Sequence, residues 1–163
     1  MSLGFSHESP VMKNDEWLTP PEIIRACGDF DLDPCAPINR PWPMAKKHFT
    51  IEDNGFLQPW EGRVWLNPPY GYQCWKWLDR LSQHKNGVAL IFARTGTLGF
   101  YDSVWCKAKG LLFLRRRVRF YNNKGIRAKN SPGADSVLVA YDNENSIQLM
   151  LAQKILGGKY IML

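Results

Sequence analysis

Apolar residues cluster in short runs along the chain, and the three clearest runs predict buried strands. They cover residues 64–67, 87–92 and 136–141. Each run is shorter than an ordinary helix and has almost no charged side chain, which is typical of a strand covered on both faces of a sheet. Weaker strand patterns occur at residues 30–33, 111–114 and 118–121.

Helical spacing appears between these strands. Trp75, Leu78 and Leu81 recur every three residues and predict a helix over 73–85, and an amphipathic pattern predicts another over 143–156 before Gly157 and Gly158. Two shorter helices are expected, one over 99–107 and one that begins with the capping-box pattern Thr19-Pro20-Pro21-Glu22 and ends at Gly28.

The alternation of strands and helices predicts an α/β fold with a mixed, mostly parallel sheet and helices on both faces. Its 163 residues fit one compact domain, which we place at 17–163 after a flexible segment at 1–16. Residues 34–48 hold four prolines and are expected to form a loop. Asp33 and Asn67 both end predicted strands and should share the carboxyl edge of the sheet, where such folds bind ligands.

Charge is distributed unevenly and suggests a nucleic-acid surface. The net charge is +6, and seven of the 21 basic residues lie between 115 and 129 with no acidic residue among them. The remaining 14 basic residues are balanced by 15 acidic ones, so the excess is local. The turn Asn122-Asn123-Lys124-Gly125 separates two basic arms, which can contact phosphates or be a solvated hairpin face. The predicted DNA-binding residues are Arg115, Arg116, Arg117, Arg119, Lys124, Arg127 and Lys129.

The clearest chemical motif is Asn67-Pro68-Pro69-Tyr70, directly after an apolar strand. An exocyclic amino nitrogen on a base is a poor nucleophile because its lone pair is delocalised into the ring. Two acceptors aimed at its N–H bonds free that lone pair, and the Asn67 side chain and the Pro68 carbonyl can supply them. Tyr70 can stack on a base swung out of the helix. We therefore predict a catalytic set of Asn67, Pro68, Pro69 and Tyr70.

Two further segments hold candidate ligand-binding groups. Asp33, at the end of a strand, can accept hydrogen bonds from a ribose or an ammonium group, although Asp-Pro is also a common turn starter. Asp53 or Asn54 can bind an adenine ring or form a plain turn. Cys35 follows a proline, as in the nucleophile of carbon-5 cytosine methyltransferases, but such enzymes do not need an Asn-Pro-Pro-Tyr acceptor pair.

Together these segments resemble the phage-type DNA N-6-adenine methyltransferases, a Dam-like family. The resemblance spans about residues 17–141 and is strongest in 30–36 (FDLDPCA) and 65–71 (WLNPPYG). It departs from wider methyltransferase patterns because no glycine follows the first strand before Gly55. There is also no room for a separate target-recognition domain, so DNA reading is left to loops, the basic segment or partner subunits.

The resemblance implies a Rossmann-like fold, S-adenosylmethionine as methyl donor and double-stranded DNA as substrate. It implies a phage or prophage origin and activity in the cytoplasm of a bacterial host, and no membrane partner is expected. The cofactor-binding residues predicted on this basis are Thr19, Pro20, Asp31, Asp33, Pro34, Cys35, Ala36, Asp53 and Asn67.

Two other functions remain open on the sequence. Asn-Pro-Pro-Tyr also occurs in enzymes that methylate a protein glutamine or a base in RNA, and the amino-group chemistry is the same. A catalytically inactive nucleic-acid-binding module would keep the basic segment but would need no cofactor. The basic segment favours a nucleic-acid substrate over glutamine, and the intact motif at 67–70 favours an enzyme over the binding module.

Overall fold

A seven-stranded sheet forms the centre of the molecule, in a computed structural model that describes residues 17–163. The strand order is β2-β1-β3-β4-β6-β5-β7. The strands are β1 Leu32–Asp33, β2 Lys47–His48, β3 Val64–Leu66, β4 Gly87–Phe92, β5 Gly110–Phe113, β6 Ser136–Ala140 and β7 Lys159–Met162. The predicted flexible segment 1–16 lies outside the described residues, and the domain boundary at 17 stays a prediction.

Five of the seven strands run in the same direction. β2, β1, β3 and β4 pair in parallel, and β5 has the same direction because it is joined to β4 through the antiparallel strand β6. β7 pairs antiparallel with β5 at the edge of the sheet. The prediction of a mixed sheet is therefore confirmed, with parallel pairing confined to one half.

Helices cover both faces of this sheet, as predicted. They are α1 Pro21–Cys27, α2 Gln73–His84, α3 Leu98–Phe100 and α4 Asn143–Leu156, and a π-helical turn, Tyr101–Trp105, follows α3 directly. α1 and α4 pack on one face with Val88 and Leu90, whereas α2, α3 and the π turn pack on the other with Ala89 and Ile91. The alternating residues of β4 thus contribute to two separate cores, which explains why the run at 87–92 is apolar throughout.

Three local predictions were wrong. Residues 118–121 do not form a ladder strand; their burial alternates, with Val118 and Phe120 buried and Arg119 exposed, but only Tyr121 makes isolated bridges. The loop predicted over 34–48 contains β2, and β7 was not predicted at all. Thr19 does not cap α1, whose N-cap residue is Pro20 with no side-chain hydrogen bond. Short edge strands give no periodicity over two to four residues, and their pairing depends on neighbours distant in sequence.

Within residues 17–163, no helix is both long and apolar enough to cross a membrane.

Candidate functional site

A cleft of about 530 Å³ opens at the carboxyl edge of the parallel strands. Its walls are the loops that follow β1, β2 and β3, which lie side by side because these strands are neighbours with the same direction. The expectation that Asp33 and Asn67 share this edge is confirmed. The lining residues are Trp17, Pro34, Cys35, Ala36, Pro37, Thr50, Ile51, Asn54, Gly55, Asn67, Pro68, Pro69, Tyr70 and Trp77.

The close approach of two of these loops depends on Gly55. A Cβ atom at this position would overlap the carbonyl oxygen of Pro34, so any side chain would push the loops apart. The Gly55 carbonyl also accepts a hydrogen bond from the Trp60 indole nitrogen, at 2.9 Å. Gly55, the first glycine after β1 in the sequence, lies in the loop after β2 and lets that loop approach the loop after β1.

Asn67 has one satisfied and one unsatisfied polar atom. Its Nδ2 donates to the Trp17 carbonyl at 3.1 Å. Its Oδ1 is buried and has no hydrogen-bond partner among the described residues. Leaving a buried acceptor unpaired costs about 1–3 kcal/mol, and a ligand that donates to Oδ1 would recover this free energy.

Tyr70 lies between the cleft and the basic segment. Its ring stacks on that of Phe92 with centroids 4.4 Å apart and an interplanar angle of 9°, and it makes an edge contact with Phe120. Desolvation holds the pKa of the Tyr70 phenol above its ordinary value, and the nearby Cys74 thiol adds to this effect. Tyr70 is 38% exposed, so a neutral aromatic surface remains accessible at the mouth of the cleft.

Asp33 is the buried acid at this edge. It is only 2% exposed, and its Oδ1 accepts a hydrogen bond from the Cys35 backbone N–H at 3.0 Å. Burial raises the pKa of Asp33 to about 7, although the Cys35 N–H and the Arg40 charge both act to lower it. The carboxyl group therefore changes charge near neutral pH.

Cys35 lines the cleft but is not an activated thiol. Burial raises the pKa of Cys35 well above its ordinary range, and the negative charge of Asp33 raises it further. A nucleophilic cysteine needs the opposite, a pKa lowered toward neutrality by a positive neighbour. This environment argues against the carbon-5 cytosine mechanism.

Five of the residues predicted to bind cofactor do not line the cleft. One is Asp33, described above, and the others are Asp31, Thr19, Pro20 and Asp53. Asp31 precedes β1 at the opposite edge, where it accepts from the Arg63 backbone N–H and pairs with Lys46. Thr19 is fully buried, and its carbonyl accepts from the Trp42 indole. Pro20 lines a different groove, and the exposed Asp53 caps the turn at Thr50. Because none of these residues lines the cleft, their role in cofactor binding stays a prediction.

The basic segment borders a second groove, of about 490 Å³. This groove runs between the residues after β5, the start of α1 and the end of α4, and Glu22 is its one acidic lining residue. We call it the basic groove. Its cationic lining residues are Arg115, Arg116, Arg117, Arg119, Arg127 and Lys154. Lys124 and Lys129, also predicted to bind DNA, do not line it.

The arginines of the basic groove differ in their partners. Arg117 pairs with Asp135 at 3.0 Å, and Arg119 donates to the carbonyls of Ala128 and Lys129. Arg115 and Arg116 are exposed and have no polar side-chain partner among residues 17–163. These two guanidinium groups are therefore the ones most available to an anionic ligand.

The basic segment and the cleft are joined by backbone contacts. Leu18 and Tyr121 form an antiparallel bridge, with Leu18 N–H donating at 2.8 Å and Tyr121 N–H donating at 3.0 Å. The turn predicted at 122–125 is present and is closed by a hydrogen bond from Gly125 N–H to the Asn122 carbonyl. The basic surface and the Asn67 side chain thus lie at one edge of the sheet.

The family model for DNA N-6-adenine-methyltransferase (Dam) matches residues 6–154. The chain belongs to this family. Searches of curated proteins and of solved structures found no match. The resemblance to Dam-like enzymes is confirmed over most of the chain, and the alternative of a protein glutamine substrate loses its support because the family acts on DNA.

Several residues of the cleft and the basic groove were not predicted from sequence. Trp17, Thr50 and Trp77 line the cleft, and Lys154 joins the basic groove from α4. A tryptophan close to the Thr-Pro pair was the available signal for Trp17. Nothing in the sequence connects Lys154 with residues 115–119, because their proximity results from the packing of α4 beside β5.

The buried Asp33 predicts an unusual dependence of methyltransferase stability on pH. Its folded pKa of about 7 exceeds the value of about 3.9 expected when unfolded, so the folded state binds an extra proton between these limits and loses stability as pH rises through them. Asp33→Asn removes this loss. Its melting temperature relative to wild type should rise between pH 5 and 7 and level off above.

Asp53→Asn is the control for this experiment, because the pKa of Asp53 is shifted in the opposite direction from that of Asp33. The Thr50 backbone and hydroxyl groups lower the pKa of Asp53, so its contribution is present above that pKa and is lost only in acid. Thermal unfolding from pH 5 to 8 should show a constant difference for Asp53→Asn. An equally constant difference for Asp33→Asn would contradict the titration of Asp33 near neutrality.

Proposed function

We propose that this protein is an S-adenosylmethionine-dependent enzyme of Rossmann-like fold that methylates the exocyclic amino nitrogen of adenine in double-stranded DNA. The observation that carries the proposal is the buried, unpartnered Oδ1 of Asn67 in the cleft. An acceptor in this state suits an amino group as its ligand. The resemblance to phage-type enzymes supports a phage or prophage origin and action in the bacterial cytoplasm.

The cleft suits a nucleoside-containing methyl donor. Its volume of about 530 Å³ falls in the usual range for small-ligand sites, roughly 300–1,000 Å³. Its walls are largely apolar, and the side chain of Ile51 is 84% exposed at the rim, where a purine ring can cover it. Thr50, Asn54 and the loop after Asp33 offer polar groups for a ribose or an amino acid portion. S-adenosylmethionine would supply a methyl group bonded to a sulfonium.

Asn67 and Pro68 act on the target amino group. The Oδ1 of Asn67 accepts one N–H bond of the adenine amino group, and the Pro68 carbonyl accepts the other. The nitrogen lone pair, withdrawn from the ring, is then free to accept the methyl group that the bound donor would supply, and the amino nitrogen afterwards releases a proton to solvent. Catalysis of this kind depends on positioning and electrostatics, with no covalent bond to the protein.

Tyr70 holds the base at the mouth of the cleft. One ring face is covered by Phe92, and stacking of two rings at 9° fixes the plane of the tyrosine before any base arrives. A base that stacks on the accessible part of Tyr70 therefore enters a preformed aromatic stack. In the resulting stack of Phe92, Tyr70 and the base, the amino group of the base lies beside Asn67.

The basic groove binds the DNA backbone near the flipped base. Arg115, Arg116 and Lys154 supply cations without polar side-chain partners in the described chain, which suits contact with phosphates. Arg119 has a different role, since its guanidinium fixes the arm at 128–129 through backbone carbonyls. DNA held in this groove lies at the same sheet edge as Asn67.

The proposal predicts that the protein transfers labelled methyl groups from S-adenosylmethionine to unmethylated duplex DNA and that the label is recovered as N-6-methyladenine. Asn67→Ala should lower the transfer rate about a hundredfold or more, because an acceptor used in the transition state is lost. Cofactor affinity, measured by calorimetry, should change little.

The outcomes of this assay separate the alternatives. Label in RNA but not in DNA would move the function to RNA methylation. Absence of cofactor binding in the wild-type protein would favour the inactive nucleic-acid-binding module. An Asn67→Ala variant that keeps most of its activity would contradict the role of Asn67 while leaving the substrate assignment intact.

For Tyr70, stacking predicts that ring shape matters and the hydroxyl does not. Tyr70→Phe and Tyr70→Trp should retain activity within a few fold, whereas Tyr70→Ala should lose about 1–3 kcal/mol of base binding, or roughly ten- to a hundredfold in kcat/KM. Steady-state kinetics with a duplex substrate tests this order. Equal losses in all three variants would contradict stacking.

For the basic groove, the partners of each arginine predict unequal effects on DNA binding. Arg115→Ala/Arg116→Ala should weaken binding and lower the slope of log affinity against log salt by up to about 2, because two phosphate contacts are lost. The matched control is Lys76→Ala/Lys109→Ala, which removes the same charge from exposed lysines outside the basic groove. Fluorescence anisotropy over a salt series measures both slopes, and equal slopes would exclude Arg115 and Arg116 from phosphate contact.

A further inference from the structure

The Asn67 amide is held from one side by a backbone carbonyl. Its nitrogen lies 3.1 Å from the Trp17 oxygen, and its own oxygen is buried without a partner in the described chain. A carbonyl can only accept a hydrogen bond, so the NH₂ group must face Trp17. This geometry decides which of the two amide groups of Asn67 faces the substrate.

The Trp17 carbonyl is itself fixed by the core and the basic segment. The next residue, Leu18, is fully buried and exchanges two backbone hydrogen bonds with Tyr121, at 2.8 and 3.0 Å. Tyr121 lies within the basic segment, next to Phe120, which contacts Tyr70. A short chain of contacts therefore runs from the proposed DNA surface through Leu18 and Trp17 to Asn67.

We propose that the Trp17 carbonyl is a positioning group that selects asparagine over aspartate at position 67 and keeps Oδ1 turned toward the target amino group. The role of Oδ1 as acceptor rests on the proposed function; the orientation of the amide does not. An ionised aspartate in this place would direct one carboxylate oxygen at the Trp17 oxygen. Only its protonated form can donate to Trp17 and still present an acceptor to the cleft.

Titratable side chains lie at this end of the neighbouring elements, and His48 at the end of β2 is one of them. Asp33 ends β1 and Cys35 follows it, while Tyr70 lies after β3 and Cys74 in the first turn of α2. Burial raises the pKa of the Cys35 and Cys74 thiols and of the Tyr70 phenol. These three groups therefore stay neutral between pH 6 and 8. Asp33 changes charge in this interval, and burial together with the Arg40 charge lowers the pKa of His48 from its ordinary value. Because wild type carries both groups, activities are compared as a ratio to wild type.

The test is Asn67→Asp, with Asn143→Asp as the matched control. Asn143 is exposed in the first turn of α4, at the opposite edge of the sheet from the cleft. Carbon-13 NMR should show that the carboxyl group introduced by Asn67→Asp has a pKa well above the ordinary value of about 3.9. The carboxyl group introduced by the control lies at the N-terminus of α4, so its pKa should be at or below the ordinary value. The methyl-transfer rate of Asn67→Asp relative to wild type should rise about tenfold for each pH unit lowered above that raised pKa.

The opposite results would overturn the proposal. One is a pKa at or below the ordinary value for the carboxyl group introduced by Asn67→Asp. Another is a ratio of methyl-transfer rates, variant to wild type, that does not change with pH. The third is a variant as active as wild type at pH 8. If wild type transfers no methyl group to DNA, the proposed function fails, but the pKa of the introduced carboxyl group still tests the positioning by Trp17.

A measurement on the wild-type protein tests the same hydrogen bond even if the Asn67→Asp variant does not fold. In protein labelled with nitrogen-15 and carbon-13, the hydrogen bond should give a scalar coupling between the Asn67 Nδ2 and the carbonyl carbon of Trp17. Loss of this coupling in an otherwise assigned spectrum would show that the amide is not held. Its presence, together with the raised carboxyl pKa in Asn67→Asp, supports the selection of asparagine.

Discussion

Parallel pairing of β2, β1 and β3 is the constraint on which the site depends. Because the three strands are adjacent and run in one direction, the loops after them emerge at one edge and enclose a single cleft. Two of these strands are only two residues long, so the pairing itself contributes few hydrogen bonds. The close contact of Gly55 with the Pro34 carbonyl and the packing of the two cores hold the loops in place.

The antiparallel half of the sheet brings the charge to this cleft. β5 has the direction of the parallel strands, so the basic segment that follows it lies at the same edge as Asn67. Leu18 and Tyr121 then connect the two regions through paired backbone hydrogen bonds. In this way a cationic surface lies beside the cleft within residues 17–163 of this Dam-family chain.

The cleft retains polar groups that a purely structural core would satisfy or exclude. Asp33 is buried with a raised pKa, and the Oδ1 of Asn67 is unpaired among the described residues. Each lowers the stability of the folded protein, by about 1–3 kcal/mol for an unpaired acceptor. Both lie at the end of a strand, where a rigid backbone keeps them in place. At Asn67, a ligand that donates to Oδ1 would restore the stability that the unpaired acceptor costs.

The sequence by itself determined the α/β class, the long helices, the central strands and the motif at 67–70. These features depend on local patterns: α4 matches its predicted range, and the apolar run at 87–92 reports burial on both sides. The sequence also located the excess of basic residues at 115–129, because charged residues can be counted directly along the chain. The alternating residues 118–121 read as a strand for the same local reason, although only Tyr121 is paired, through isolated bridges to Leu18 and Arg127.

Only the tertiary structure decided which of these residues meet. Asp31 and Asp33 are two positions apart, yet β1 places them at opposite edges, so one pairs with Lys46 and the other borders the cleft. The contact of Trp17 with Asn67, and the approach of Lys154 to Arg115 and Arg116, join residues separated by more than thirty positions. Such contacts are set by strand order and helix packing, which no local pattern of side chains contains.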